Sequence, residues 1–258
     1  MIGAALLAAA MAAAPCGLPP AGRPTWTVGE TATYDLELFG LVRAGSLQLS
    51  TERPSALSGG KIVPLRARAQ TEASVASLLR LTAIALSWVD ARTLLPERYR
   101  EEADENGVRK ISDAKLAPAG PTIDLSFDIG GAKSTAQVPR QGTALDAVSA
   151  IAYLQAARLA PGDRLCFDLL ARGRVWRVTG AVAPGGKIDS VLGKVETLRI
   201  DAQATVAGAE APHQMRVWLS AAPPRRFLVA VGDVDLGPVK VTLTEVRGVP
   251  TRGRGHGP

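Results

Sequence analysis

The chain has 258 residues, of which 47% are hydrophobic and only 4% aromatic, and its formal net charge is +6. This length and composition suit one large domain whose core is built mainly from Leu, Val, Ile and Ala. Three of the positive charges, Arg247, Arg252 and Arg254, stand near the end of the chain. The rest of the chain carries too little positive charge for a nucleic-acid-binding surface, so no nucleic-acid partner is expected.

The first 14 residues form an apolar run of the length of a secretory signal peptide. No Lys or Arg precedes the run, so we expect the true start to lie further upstream. We predict an exported protein, periplasmic or beyond. The run is too short for a transmembrane helix, and no membrane span is expected in the mature chain. Ala13 and Pro15 make a poor lipoprotein signal before Cys16, so lipid anchoring there is not expected.

The following residues divide by composition into three parts. Residues 15–25 are rich in Pro and are predicted to be a linker, and residues 26–247 are predicted to be a single β-rich domain. Residues 248–258, rich in Gly, Pro and Arg, are predicted to be a disordered basic tail.

Strand patterns begin early in the domain and recur to its end. Tyr34, Leu36 and Leu38 alternate with polar residues, which is the period of a half-buried strand. Further alternating runs are separated by turn signals, of which Asn106-Gly107 is the strongest. Such spacing is typical of an antiparallel meander. Residues 74–81 are predicted to form a short helix that runs into a strand.

One amphipathic helix is predicted over about residues 144–158. Thr143 and Asp146 have the spacing of a capping box at its start. The apolar residues that follow at helical spacing form one stripe, in which Val148 and Ile151 are expected to be buried against the sheet. The predicted fold class is therefore mainly β, a single curved antiparallel sheet, half-barrel or open barrel-like, with this helix against it.

Residue types that perform catalysis are sparse. Cys166 and His213 are the only Cys/His pair in the body, and they fall on different predicted strands. A disulfide between Cys16 and Cys166 is less expected than a buried, free Cys166. With so few His and Cys residues, neither a metal site nor a cofactor is expected.

Two acidic pairs leave one catalytic alternative open. The pairs are Asp124 with Asp128 and Asp233 with Asp235. Alternate strand positions share a face, so each pair could bring two carboxyl groups together. Most such pairs belong to solvated strand faces, and a cell-wall hydrolase is kept only as the second alternative.

Four stretches stand in order along residues 29–245, namely GETATYDLELFGLVRAGSLQL, WVDARTLLPERYREE, LDAVSAIAYLQAARLAPGD and VWLSAAPPRRFLVAVGDVDLGPVKVTL. Together they resemble an uncharacterised bacterial envelope family, domain of unknown function 3108. Ala147 stands where the family usually has Pro. The resemblance implies an exported all-β protein with a strongly curved sheet and helices on its concave side. A looser likeness at the level of fold links it to periplasmic lipoprotein carriers, whose half-barrels hold acyl chains.

The concave face is the expected ligand site. Large side chains on the strands are candidates for a pocket wall, namely Tyr34, Leu36, Leu38, Trp88, Trp176 and Trp218. The alternative is that the same side chains form a solid core. We therefore expect a non-enzymatic exported envelope protein that binds or carries a lipid or another apolar or amphipathic component. The first alternative is an envelope scaffold or assembly factor with a solid core and a protein partner.

Overall fold

In the computed structural model, the described residues are 17–54, 59, 61–116, 120–206, 211–234 and 237–248. The predicted leader, Cys16, Asp235 and all but the first residue of the predicted tail lie outside them. No helix in these ranges is both long and apolar enough to cross a membrane.

Fifteen strands in the described part of the chain form one sheet. In chain order they are β1 Thr31–Leu38, β2 Val42–Thr51, β3 Ile62–Thr71, β4 Leu81–Asp90, β5 Pro96–Glu105, β6 Val108–Lys115, β7 Thr122–Ile129, β8 Ala132–Pro139, β9 Ala144–Asp146, β10 Arg164–Ala171, β11 Arg174–Ser190, β12 Gly193–Thr205, β13 His213–Ser220, β14 Phe227–Val234 and β15 Gly237–Arg247.

Two antiparallel meanders make up this sheet. One runs from β1 to β8 and the other from β10 to β15, and they join where β1 pairs with β15. The exception to the antiparallel pattern is β9, which pairs in parallel with β10. A helix, α1 (Ala147–Ala156), connects these two strands, as a parallel pair requires.

The sheet curves around α1. The helix packs against β3 and β4 in the first meander and against β9 and β10 at the far end of the sheet. Ser87 on β4 donates a hydrogen bond of 2.6 Å to the Asp146 carboxylate at the end of β9. Strands that are distant in the sheet therefore meet on either side of the helix. These observations confirm the predicted fold class, with one large curved sheet and one main helix.

The start of α1 differs from the expected one. Asp146 is the N-cap, and it forms a capping box with Ser149. Thr143 belongs to the preceding extended segment, where its carbonyl accepts the Asp168 N–H at 2.9 Å. The three residues after it pair with β10, so the helix cannot begin before Ala147.

The end of α1 and the second predicted helix are also corrected. The helix ends at Ala156 because the Ala156 carbonyl accepts an N–H from Gly22 at 3.0 Å, outside the helix. Val148 is buried as expected, whereas Ile151 is only half-buried. In place of the helix predicted over 74–81 there is a single 3₁₀ turn, Ala73–Val75, before β4.

Residues 17–26 lie along α1 and β10 as an ordered segment, which we call the strap. The Pro19 carbonyl accepts a hydrogen bond from the Tyr153 hydroxyl at 2.9 Å, and the Gly17 carbonyl accepts the Cys166 N–H at 2.8 Å. Leu18, Ala21 and Trp26 pack against the core. Although its Pro-rich composition is that of a linker, this part of the chain extends the hydrophobic core.

Candidate functional site

The side of the sheet that faces α1, its inner face, divides into two halves. Near the helix, inward side chains such as Tyr34, Leu65 and Val89 are buried in the core. At the opposite ends of the strands, many of the inward side chains are apolar but only half-buried. We call this second region the open half. It includes Leu36, Leu47, Ala83, Trp176, Val217 and Val241.

Small side chains make the floor of the open half shallow. Leu47 on β2 lies opposite Ala69, Ala69 lies opposite Ala83, and Ala83 lies opposite Ala103 on β5. Alternate residues of a strand share a face, so this row points to the same side as the core residues of β3 and β4. Because alanine side chains are short, the row leaves space above the inner face.

A cleft of about 520 Å³ lies at one side of the open half, between the inner face of β4–β8 and the β10–β11 turn. Its apolar lining includes Leu81, Ala103, Phe127 and Ile129. Its charged lining consists of Glu101, Glu105, Lys110, Arg172 and Arg174. The volume is within the usual range for small-molecule sites, and the mixed lining suits an amphipathic ligand better than a purely apolar one.

The charged groups of this cleft are partly paired with each other. Lys110 and Glu105 form an ion pair at 2.8 Å, and Glu101 accepts a hydrogen bond of 2.7 Å from the Tyr99 hydroxyl. Tyr99 is buried, and this burial, reinforced by the nearby Glu101 carboxylate, raises the pKa of its hydroxyl above the usual value. Tyr99 therefore stays neutral, and its hydroxyl donates a hydrogen bond to the Glu101 carboxylate.

By contrast, the space beside α1 is small. A gap of about 50 Å³ is bounded by Trp26, Tyr34, Val148, Ile151 and neighbouring residues. Val148 and the half-buried Ile151 thus close the concave side over the first half of the strands. An acyl chain does not fit there, so any ligand of the inner face belongs in the open half.

The structure separates the six predicted site residues into three groups. Leu36, Leu38 and Trp176 are half-buried on inward positions of the open half. Tyr34 lies in the core, where its ring meets that of Phe227 at 5.3 Å, and burial raises the pKa of its hydroxyl. Trp88 and Trp218 occupy outward positions and are not brought together with the other four.

The outward tryptophans have polar neighbours. Trp88 lies next in the chain to buried Ser87 and Val89, so it points the other way, and the Arg98 guanidinium stacks over its ring at 5.3 Å. Trp218 lies opposite Arg199 on β12. Period-two alternation identifies both strands, but it does not indicate which side faces the core.

The Glu30–Arg226 pair and Asp168 are buried ionic groups that escape the sequence analysis. Glu30 and Arg226 form a two-pronged ion pair, with side-chain exposures of 7% and 11%. Asp168 is buried and accepts hydrogen bonds from the Gln141 and Gly142 N–H groups and from Arg177. Nothing in the local pattern around Glu30 or Asp168 distinguishes them from surface acids. Asp146 is also buried, and the sequence analysis places it in the predicted capping box without indicating its burial.

The Cys166–His213 pair is not a catalytic dyad. Cys166 is disulfide-bonded, so the expectation of a free, buried thiol was wrong. The chain has one other cysteine, Cys16, which lies outside the described residues. His213 packs edge-on against Trp176 at 5.2 Å, and its Nδ1 lies 3.0 Å from the Asp233 carbonyl.

The acidic pairs show local structural roles. Asp128 accepts the Gly131 N–H of the β7–β8 turn at 2.9 Å, and Asp124 accepts a hydrogen bond from Gln137 at 2.9 Å. Asp233 lies on β14, and its predicted companion Asp235 is outside the described residues. Among the residues with described positions, no cluster of three or more His, Cys, Asp or Glu side chains could hold a metal ion.

These features define the structural class of the protein: a single curved β-sheet surrounds one helix, and part of the inner face of the sheet remains open. The model of the protein family of unknown function DUF3108 matches residues 33–244, so the chain belongs to this family. No curated protein matches the chain.

Solved structures support the fold. A β-barrel-like protein of domain of unknown function DUF1849 from Brucella abortus is similar with a TM-score of 0.60 and 13% identity, over 85% of this chain and 97% of that one. An exported-protein candidate with a YmcC-like fold from Bacteroides fragilis gives a TM-score of 0.36 and 8% identity, over 89% and 100%. A lipoprotein candidate from Parabacteroides distasonis gives 0.37 and 7%, over 90% and 100%. Only the TM-score of the DUF1849 protein is high enough to support a common fold.

Proposed function

We propose that this protein is a non-enzymatic, exported envelope protein that binds or carries an apolar or amphipathic component in the open half of its inner face. The observation that supports this most is the row of inward, half-buried apolar side chains that α1 does not cover. In a protein with a solid core, these positions would be as buried as those beside the helix. Instead, Leu36, Trp176 and Val241 remain partly accessible on the inner face of the sheet.

The chemistry of the adjoining cleft supports an amphipathic ligand. An apolar chain would contact Phe127, Leu81 and the alanine row, and a polar head would reach the charged groups at the edge. Arg174 and Lys110 suit an anionic head group, whereas Glu101 and Glu105 disfavour one placed directly against them. A single-chain fatty acid is therefore a suitable first probe.

Export is part of the same proposal. Disulfides form and persist in oxidising compartments, so the disulfide at Cys166 supports a location outside the cytoplasm. The family resemblance and the apolar leader agree with it. When the gene is expressed from its true start, full-length mature protein is expected outside the cytoplasm, and recovery only from the cytosol would contradict this part of the proposal.

A matched pair of substitutions on β4 tests the site. Ala83 points into the open half, and the next residue, Ile84, points outward and is exposed. Ala83→Trp places a large ring on the floor and is expected to weaken the binding of a fluorescent fatty acid by roughly tenfold, which corresponds to about 1.4 kcal/mol. Ile84→Trp adds a ring of the same size on the other face and should leave binding unchanged.

Tryptophan emission gives a second readout. Bound fatty acid should alter the emission of Trp176, which lies in the open half, and Trp176→Phe should remove most of that change. Trp218→Phe is the control because Trp218 lies on the outward face. Absence of saturable binding by the unmodified protein would contradict the proposal and would favour an envelope scaffold.

A further inference from the structure

Exposed apolar side chains are concentrated at one end of the molecule. Of the eleven large hydrophobic residues that are exposed within the described ranges, six lie at turns on the end where the open half begins. They belong to four successive connections, β1–β2, β3–β4, β5–β6 and β7–β8. These residues, which we call the apolar tips, are Phe39, Leu41, Val42, Leu78, Val108 and Ile129.

The exposure of the tips is extensive. Leu41 is 88% exposed, Leu78 75% and Phe39 59%. Single exposed hydrophobic residues are common on protein surfaces, but several at one end indicate an interaction surface. At the opposite end of the first meander, by contrast, Leu94 in the β4–β5 turn is buried in the core.

The turns hold the tips in fixed positions. Phe39 adopts a left-handed backbone conformation with φ of 54°, and its ring lies against the backbone of Gly237 in the β14–β15 turn. The Asn106 N–H donates to the Arg80 carbonyl at 2.8 Å, and this bond links the β5–β6 turn to the end of the β3–β4 connection. These contacts connect neighbouring turns, so the apolar tips are presented together at one end of the sheet.

Basic side chains accompany the tips, while nearby acids are used within the turns. Arg80 and Arg174 are exposed at this end of the sheet. Asp104 accepts the Gly107 N–H at 2.9 Å, and Asp128 accepts the Gly131 N–H of the next turn in the same way. These two carboxylates are directed at backbone donors, which reduces their repulsion of an anionic surface.

We propose that this end of the molecule docks onto an anionic phospholipid surface, with the apolar tips in the interfacial region and the arginines against the head groups. The tips protrude from separate turns, so a rigid protein partner would need a separate pocket for each of them. A fluid lipid interface accommodates such protrusions and attracts basic side chains beside them. Docking would also place the entrance of the open half at the membrane, although the inference does not depend on ligand carriage.

Vesicle co-sedimentation tests the proposal with the full chain. The probes are vesicles of phosphatidylcholine containing phosphatidylglycerol, and vesicles of phosphatidylcholine alone. The unmodified protein should bind the anionic vesicles more tightly, and equal binding to both would contradict the role assigned to the arginines. Because each exposed leucine adds apolar area to the interface, the double variant Leu41→Asp with Leu78→Asp should weaken binding by roughly tenfold or more.

The matched control lies at the tip of the β11–β12 hairpin, at the opposite end of the sheet. Val191 and Leu192 are 52% and 47% exposed there, and Val191→Asp with Leu192→Asp should leave vesicle binding unchanged. All four positions are exposed, so both double variants should keep the melting temperature of the unmodified protein. An equal loss in the control, or no vesicle binding by the unmodified protein, would overturn the proposal and point to a protein partner or a second copy of the chain.

The proposal of membrane docking can be tested separately from the proposal of ligand binding. In the absence of vesicles, Leu41→Asp with Leu78→Asp should bind the fluorescent fatty acid as the unmodified protein does, because neither residue lines the cleft. Ala83→Trp should bind the fatty acid roughly tenfold more weakly and still bind vesicles. Failure of one proposal therefore leaves the other standing.

Discussion

Asp146 is the residue on which the junction between sheet and helix depends most. Its carboxylate is fully buried and accepts hydrogen bonds from the Ser87 hydroxyl at 2.6 Å and the Ser149 hydroxyl at 2.9 Å. It also accepts the first free N–H groups of α1, from Val148 and Ser149, both at 2.9 Å. One side chain thus joins β4, β9 and the helix.

Replacing Asp146 by Ala should destabilise the protein strongly. The change leaves buried donors on Ser87, Val148 and Ser149 without an acceptor and also removes the N-cap. Together these losses should reduce the free energy of unfolding by about 3 kcal/mol or more. Urea denaturation measures this value, and a loss under about 1 kcal/mol would show that water replaces the carboxylate.

The charge of Asp146 should also make stability depend on pH. Burial raises the pKa of this carboxyl group in the folded protein, and the hydrogen bonds from Ser87, Ser149 and Val148 only partly offset the effect. The folded state therefore binds the proton more tightly than the unfolded state, whose pKa is about 4. The stabilisation is complete below that value and is lost as the pH rises through the folded pKa.

Asp146→Asn provides the comparison for this pH dependence. The amide does not titrate, so the stability of the unmodified protein relative to the Asn variant should fall as the pH rises from about 4 towards neutrality. Urea denaturation of both proteins across this range measures the difference. A constant difference would mean that the folded and unfolded pKa values of Asp146 are the same.

At the scale of the element, the two apolar residues expected to anchor α1 are not equivalent. Both border the small gap next to β1–β3, but Val148 is buried beside the cap, whereas Ile151 is only half-buried. Val148→Asp should lower the free energy of unfolding by about 3 kcal/mol or more, because an unpaired charge enters the core. Ile151→Asp should cost clearly less, since its side chain can turn towards solvent. Equal losses in thermal or urea denaturation would contradict this ranking.

The sequence predicts the elements better than their relative positions. Alternation around Tyr34 and the Asn106-Gly107 turn identify strands that the structure contains, because these signals are local. Strand β9 (Ala144–Asp146) was not predicted. Its sequence continues the helical spacing of apolar residues, and its pairing with β10 keeps it extended. A local sequence pattern does not show where tertiary contacts override the preference of a segment for helix or strand.

The same limit applies to the candidate site. Trp88 and Trp176 are both expected on strands, yet one points outward and the other into the open half. The inward side of each strand is set by register and by the curvature of the whole sheet, which are long-range properties. The apolar tips could have been noticed as hydrophobic residues beside turn glycines, but their presence at one common end depends on the topology.

At the scale of the whole molecule, the strap and the disulfide at Cys166 act together. The strap is hydrogen-bonded to α1 and β10, and Cys166, whose N–H donates to the Gly17 carbonyl of the strap, is disulfide-bonded. Cys166→Ala or reduction should lower the free energy of unfolding by about 2–4 kcal/mol. Denaturation with and without reductant measures this loss. An unchanged value under reductant would show that the hydrogen bonds of the strap hold it alone.

The pairing of β1 with β15 also determines when the molecule can fold. Thr31 lies opposite Arg247, so the first and last strands of the domain are neighbours in the middle of the sheet. While the chain is being made, β1 has only β2 beside it, and its other edge stays unpaired until the last strand arrives. Closing such a distant contact is slow, and an unpaired strand edge is prone to aggregation in the meantime. A chain truncated before β15 is therefore expected to keep this edge exposed and to need a chaperone to remain in solution.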